Sequence, residues 1–120
     1  MKYILVTGSG GLVGNESVSF FINKGYRIIG IDNNYRKRFF GKIGSISKNI
    51  KDSKNKFKKK YIHYNIDIRN DNSVKKIFIK YGKKIKLVIH AAAQPSHDWA
   101  YKNPKLDFEI NAKGTLNVLE

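Results

Sequence analysis

Apolar positions along this chain alternate between two periods, and the changes of period mark out its elements. Residues 2–7 (Lys-Tyr-Ile-Leu-Val-Thr) form a short, nearly continuous apolar run, the pattern of a strand buried on both faces. A glycine-rich turn occupies 8–11. Leu12, Val18, Phe21 and Ile22 then predict a helix over 12–24, stopped by Lys24-Gly25. Tyr26 to Asp32 and Tyr61 to Ile66 read as the second and third strands, and Ile85 to His90 as the fourth. Val74, Ile77, Phe78 and Tyr81 predict a helix over 73–82, capped by Asp71 or Ser73. From Leu106 the pattern is helical and runs to Glu120 without a stop signal.

Strands alternating with helices imply a parallel sheet with right-handed crossovers, hence a doubly wound α/β fold. Two stretches depart from that rhythm. Residues 33–60 exceed an ordinary connection, which predicts a functional insertion or a mobile loop. The fourth strand is expected at an edge that a fifth would normally cover. The expectation is an incomplete domain over 1–120 holding the first four strands, with the catalytic and substrate-binding remainder outside the chain.

Composition narrows the partners. Apolar residues make up 41% and aromatics 12%, enough for a folded core. Lys and Arg number 24 against 9 acids, a net charge of +15 that could mark a nucleic-acid binder. Basic residues nonetheless run from Lys2 to Lys113 with one dense cluster, Lys51 to Lys60, which reads as a solvated loop. No nucleic-acid partner is expected. An apolar run long enough to cross a bilayer is absent from the sequence, so no membrane partner is expected either. The lack of cysteine makes a reducing, cytoplasmic setting the default.

The strongest local signal is Thr7-Gly8-Ser9-Gly10-Gly11-Leu12-Val13-Gly14, with glycines at 8, 11 and 14. It closes the first strand and opens the first helix, as a dinucleotide site requires. Gly8 permits the tight turn, Gly11 lets amides approach a pyrophosphate, and Gly14 allows close packing. The amides around Leu12 and Val13 sit where a helix dipole favours an anion. Asp32 ends the second strand, 18 residues after Gly14. Its carboxylate can accept the adenosine ribose hydroxyls and repel a 2′-phosphate, favouring NAD over NADP, or it can cap a turn with Asn33-Asn34. Arg36 and Arg38 lie close enough to offset that repulsion.

With Thr7–Gly14, Asp32, Asp67-Ile68, His90-Ala91-Ala92-Ala93 and Asn111–Asn117 in place, the chain resembles the extended short-chain dehydrogenase/reductase family of nucleotide-sugar epimerases and dehydratases, on a Rossmann-like fold. Three segments look like its CDP-paratose 2-epimerase (CDP-tyvelose epimerase) group: Gly30–Arg36 with Phe39-Phe40-Gly41, His90–Trp99, and Asp107-Phe108. The resemblance implies NAD as cofactor and a nucleotide sugar as substrate, with the full-length protein a homo-oligomer. It places Gly8, Gly11, Leu12, Val13, Gly14, Asp32, Asn33, Arg36, Asp67, Ile68, Ala91, Ala92, Ala93, Gln94 and Asn111 around the cofactor. Asp67 would accept the adenine amino group, Ile68 would line its pocket, and residues 91–94 with Asn111 would pass the nicotinamide ribose. Ser96 and His97 are candidates for the sugar. Phe39-Phe40 would close over the site or staple the loop. No metal is implied, since neither His90 nor His97 has partners at ligand spacing.

In that family a tyrosine, lowered in pKa by a lysine, removes a sugar hydroxyl proton while NAD⁺ takes the hydride. For the 2-epimerase group a C2 ketone is then reduced from its other face. Tyr101-Lys102-Asn103-Pro104-Lys105 is a decoy for the Tyr-x-x-x-Lys pair: Pro104 disfavours helical geometry at Asn103, so the two side chains do not stack. No catalytic residue is expected in this chain, which by itself should be inactive. The alternatives are another NAD-dependent nucleotide-sugar epimerase or dehydratase, or a noncatalytic NAD-binding module on the same fold.

Overall fold

The computed structural model describes residues 1–34, 37 and 40–120, so Arg36, Arg38 and Phe39 lie outside the described residues. Four parallel strands, β1 (Tyr3–Thr7), β2 (Arg27–Ile31), β3 (Tyr61–Tyr64) and β4 (Ile85–His90), pair in the order β3-β2-β1-β4. In β1 every residue is buried, because helices cover both faces of the sheet. Ile4 and Val6 face α1 (Leu12–Asn23), packing with Val18 and Ile22, while Tyr3 and Leu5 face α3 (Asp71–Tyr81), packing with Ile77 and Tyr81. Each such fully buried aliphatic side chain contributes on the order of 2 kcal/mol. This is the doubly wound sheet that strand–helix alternation predicts.

Local signals set most boundaries. Three strands are one or two residues shorter than their apolar runs, since β1 starts at Tyr3, β2 spans Arg27–Ile31 and β3 stops at Tyr64, whereas β4 coincides with its run. In α3 the cap is Asn70 rather than Asp71 or Ser73: the Asn70 carboxamide oxygen accepts from the Ser73 amide at 3.1 Å. Asp71 instead sits in the first turn, where its charge complements the helix dipole. Leu12 departs from its expected place on the buried face of α1. That face is Gly14, Val18 and Ile22, and Leu12 is 81% exposed at the helix start, beside the glycine turn.

The largest correction concerns the stretch 33–60, expected as an insertion or a mobile loop: from residue 47 to 60 it is helical. Ser47–Phe57 form α2, the crossover helix between β2 and β3, and Lys58–Lys60 a following 3-10 turn. Lys51, Lys54 and Lys56 belong to that helix, so the basic cluster is a helical face rather than a solvated loop. Its buried stripe is narrow: Ile50 and Ser53 are buried, Phe57 is half-buried, and the Ser53 hydroxyl donates to Asn15 of α1 at 3.2 Å. The sequence from Leu106 is helical, as expected: α5 (Pro104–Phe108), a π-helical turn at Glu109–Lys113 and α6 (Gly114–Leu119) follow one another without a break, and the separate short helix α4 (His97–Lys102) precedes them. Asn103 separates α4 from α5 with φ −142° and ψ 68°, outside helical space, as Pro104 demands of its predecessor. Tyr101 is 90% exposed on the far side of that break from Lys105.

Candidate functional site

At the carboxyl ends of β1, β2, β3 and β4 lies a cleft of about 240 Å³. It is lined by Gly8, Gly11, Leu12, Val13, Gly14, Asp32, Asn33, Asp67, Ile68 and Ala91–Ala93. Twelve sequence-predicted positions thus converge on one wall-to-wall space.

The glycine turn is built so tightly that side chains are excluded at Gly8 and Gly14. Gly8 has φ +67°, and a Cβ there would come 2.8 Å from the Ala92 nitrogen. At Gly14 a Cβ would lie 2.0 Å from the Gly8 carbonyl oxygen, so this glycine lets the helix pack on its own turn rather than on the strand. Gly8 donates to the Ile31 carbonyl at 2.7 Å and accepts from Gly11 at 3.0 Å, tying the turn to β2. Gly11 caps α1 without a side chain, and no acidic residue occupies the first turn. Helix geometry leaves the first-turn amides without intrahelical acceptors, so an anion is their natural partner.

Asp32 fulfils the turn-capping alternative and more. Its Oδ1 accepts from the Asn34 amide at 2.8 Å and its Oδ2 from the Gly10 amide at 3.0 Å. The carboxylate therefore braces the glycine turn from the β2 side while facing the cleft. Asp67 also reaches the cleft wall, but both its oxygens are engaged by Arg69, at 3.0 Å from Nε and 2.6 Å from Nη2. Burial raises its pKa, and the Arg69 hydrogen bonds and charge outweigh this, leaving the carboxyl below its ordinary value. Arg69 also reaches Glu109 at 3.5 Å. The Ile68 carbonyl accepts from Asn117 at 3.0 Å, which fixes that stretch against α6.

Other expected residues stand behind the cleft rather than in it. Gln94 is buried, with its amide nitrogen donating to the Asp107 carboxylate at 2.9 Å and its backbone amide to the Asn111 carboxamide at 2.8 Å. Asn111 and Gln94 thus hold the segment after β4, and neither lines the cleft. The Ser96 side chain is spent as the cap of α4, accepting from Trp99 at 3.3 Å, and His97 is exposed at the start of that helix. Phe40 and Ser96 border a separate shallow cleft with Trp99.

The structure adds residues that sequence reasoning passed over. Ile46 closes one side of the cleft, and a Cβ on Gly10 would lie 2.7 Å from it. Its backbone amide donates to the Asn34 carboxamide at 2.9 Å, and Asn49 donates to the Gly10 carbonyl at 2.9 Å. The fourth glycine was the available signal for this close approach, and Ile46 with Ile50 and Phe57 at helical spacing was the signal for the helix beside it. Beneath the turn, Ser9 and Tyr61 share a hydrogen bond of 2.8 Å, and Tyr61 meets His63 at 2.9 Å. Burial pushes the Tyr61 phenol up to about 12, with the Asp32 charge adding and the Ser9 bond opposing. Burial also pushes the His63 imidazole down, with the Lys54 charge adding to the effect. Tyr61→Phe would leave the buried Ser9 hydroxyl unpartnered and is expected to cost about 1–2 kcal/mol. Urea unfolding measures it, and an unchanged midpoint would show that Ser9 relies on another group.

Residues 4–120 match the NAD dependent epimerase/dehydratase family. The chain belongs to that family. It is 35% identical over 117 residues to CDP-paratose 2-epimerase of Salmonella typhi, covering 98% of this chain and 31% of the relative. Identity is also 35% over 121 residues to UDP-glucuronate 4-epimerase of Thermodesulfobacterium geofontis, covering 100% of this chain and 35% of the relative. Among solved structures, UDP-glucose 4-epimerase of Thermus thermophilus in complex with NAD superposes with a TM-score of 0.74 at 27% identity, over 98% of this chain and 32% of that one. The chain thus spans about a third of the length of the relatives it matches. Within the family, NAD is the cofactor, and the relatives named here are nucleotide-sugar epimerases. Among the described residues no helix is long and apolar enough to cross a membrane.

Proposed function

We propose that this chain is the NAD-binding part of a nucleotide-sugar epimerase acting at C2 of a CDP-sugar. The observation that carries the cofactor reading is one cleft combining a tight glycine turn, an uncapped helix N-terminus and a braced carboxylate. The residues present suit the dinucleotide: Gly8, Gly11 and the amides of Leu12–Gly14 for the pyrophosphate, Asp32 for the adenosine ribose. Ile68 and Asp67 stand on the β3 side, where the adenine would lie, and Ala91–Ala93 on the β4 side, where the nicotinamide ribose would lie. When bound, NAD supplies the reversible hydride transfer; the chain supplies placement and electrostatics. Likeness to the Salmonella enzyme and the three segments given above favour the CDP-sugar. Similarity to UDP-sugar 4-epimerases at equal identity supports a second reading, a 4-epimerase of a UDP-sugar. The Tyr–Lys pair is assigned to sequence beyond residue 120, the working location to the cytoplasm, and the assembled enzyme to a homo-oligomer.

Calorimetry of this chain tests the reading. NAD is expected to bind at least about tenfold more tightly than NADP, since Asp32 opposes a 2′-phosphate. Tighter binding of NADP would overturn the assignment of Asp32. Mixed with NAD and a CDP- or UDP-sugar, the chain alone is expected to leave the sugar's proton NMR spectrum unchanged. Epimerisation would place the catalytic pair within these 120 residues after all.

A further inference from the structure

His90 occupies a hydrogen-bond chain whose every direction is set. The Thr115 hydroxyl donates to the Asn111 carbonyl at 2.5 Å, so its single hydrogen is used. It lies 2.9 Å from His90 Nε2 and must accept there, which places the ring proton on Nε2. Nδ1 is therefore an acceptor, and the Thr7 hydroxyl, 2.6 Å away, donates to it. Thr7 Oγ1 in turn accepts from the Ala92 amide at 3.1 Å, and the Thr7 carbonyl accepts from the Ala91 amide at 3.2 Å. The π-helical turn at Glu109–Lys113 spaces its carbonyls irregularly, and Asn111, inside it, receives Thr115 on its backbone while its side chain holds Gln94. One ring thus joins the end of β1, the end of β4 and α6, and its bonds end on the segment that walls one side of the cleft.

The sheet order gives that wall a meaning. With β2 and β3 on one side of β1 and β4 on the other, Asp32 and Asp67 flank the glycine turn opposite to Ala91–Ala93. A dinucleotide centred on the turn would have its adenosine half toward β2 and β3, and its other half against residues 91–93. We infer that His90, through Thr7 and Thr115, is a positioning residue for the nicotinamide half of the cofactor, effective only as the neutral Nε2-H tautomer. The inference rests on the cofactor reading above.

A second ring proton would sit on Nδ1, against the hydrogen that Thr7 now donates. Thr7 is fully buried, so turning its hydroxyl away leaves that hydrogen without an acceptor and disturbs the bond to Ala92. The groups facing the ring are neutral, Thr7 from β1 and Thr115 from α6, and burial alone holds the imidazole below its usual value. No charged side chain among the described residues is positioned to compensate the added proton.

The test compares NAD and ADP binding by calorimetry. For the unmodified chain, NAD affinity is expected to fall between about pH 7.5 and pH 5.5, by less than the roughly tenfold that an unshifted imidazole would give, because burial holds His90 below its usual value. His90→Gln, which keeps a donor and an acceptor but does not titrate, is expected to flatten the profile, whatever its affinity at the higher pH. Thr115→Val should weaken NAD about tenfold at about pH 8 while leaving ADP within about twofold, because ADP lacks the half that meets residues 91–93. An undiminished pH dependence in His90→Gln, or a parallel loss of ADP in Thr115→Val, overturns the inference and leaves the cofactor reading intact. Failure of the unmodified chain to bind ADP as well as NAD would instead remove the cofactor reading and this inference with it.

Discussion

Gly14→Ala is expected to lower the stability of this chain by about 3 kcal/mol or more, and its melting temperature by more than about 10 °C. The added Cβ would lie 2.0 Å from the Gly8 carbonyl oxygen and 2.7 Å from its carbon. Neither atom can retreat cheaply. Gly8 is already at φ +67°, its amide is bound to Ile31 and its carbonyl to Gly11, and its other side meets Ala91 and Ala92. Relief must come from pushing α1 away from the turn, which opens the contacts of Val18 and Ile22 with Ile4 and Val6. Against a typical total stability of about 5–15 kcal/mol, such a loss leaves little folded protein on heating. Gly25→Ala is the control: it has φ +95° but nothing within 4 Å of the added carbon, so only backbone strain of about 1–2 kcal/mol is expected. Thermal unfolding followed by circular dichroism compares the two. Equal losses would mean that the turn yields and that its tightness is not what excludes a side chain.

Asp32→Ala is expected to weaken NAD binding by about 100-fold while costing only about 1 kcal/mol of stability. The carboxylate has two tasks in one place. It accepts from Gly10 and Asn34, holding the turn and the start of the following segment, and it faces the space proposed for the ribose. Alanine removes both bonds and the negative charge. Because the site is half-exposed, the folding cost stays modest, whereas binding loses its ribose acceptors and a well-placed turn together. Removing the charge also removes the repulsion toward a 2′-phosphate, so the ratio of NAD to NADP affinity should fall toward unity. Asp32→Asn, with one acceptor kept, should fall between. A preference for NAD that survives in Asp32→Ala would show that other groups discriminate the two dinucleotides.

Legibility of the site followed the kind of interaction involved. Glycines at 8, 11 and 14 and a carboxylate at 32 are constraints imposed by backbone geometry and by the reach of one strand, so their spacing along the chain carries them. Asp67 and Ala91–Ala93 came from family resemblance, and the structure brings them to the same cleft. Gln94, expected beside the cofactor with Asn111, bonds to Asn111 and Asp107 across 17 and 13 positions, a partnership that no spacing announces. The crossover helix α2 was missed because the long, lysine-rich connection read as an insertion, although Ile46, Ile50, Ser53 and Phe57 recur at helical spacing within it.

The order of strands and helices and the phosphate-binding turn were thus determined locally, because apolar runs and glycine placement depend on near neighbours in the chain. What surrounds that turn was decided in three dimensions. Ile46 against Gly10, Tyr61 beneath Ser9, and His90 between Thr7 and Thr115 join residues from 25 to 83 positions apart. Such contacts are properties of packed surfaces, and a single side chain carries no mark of the partner it will meet once the sheet has brought them together.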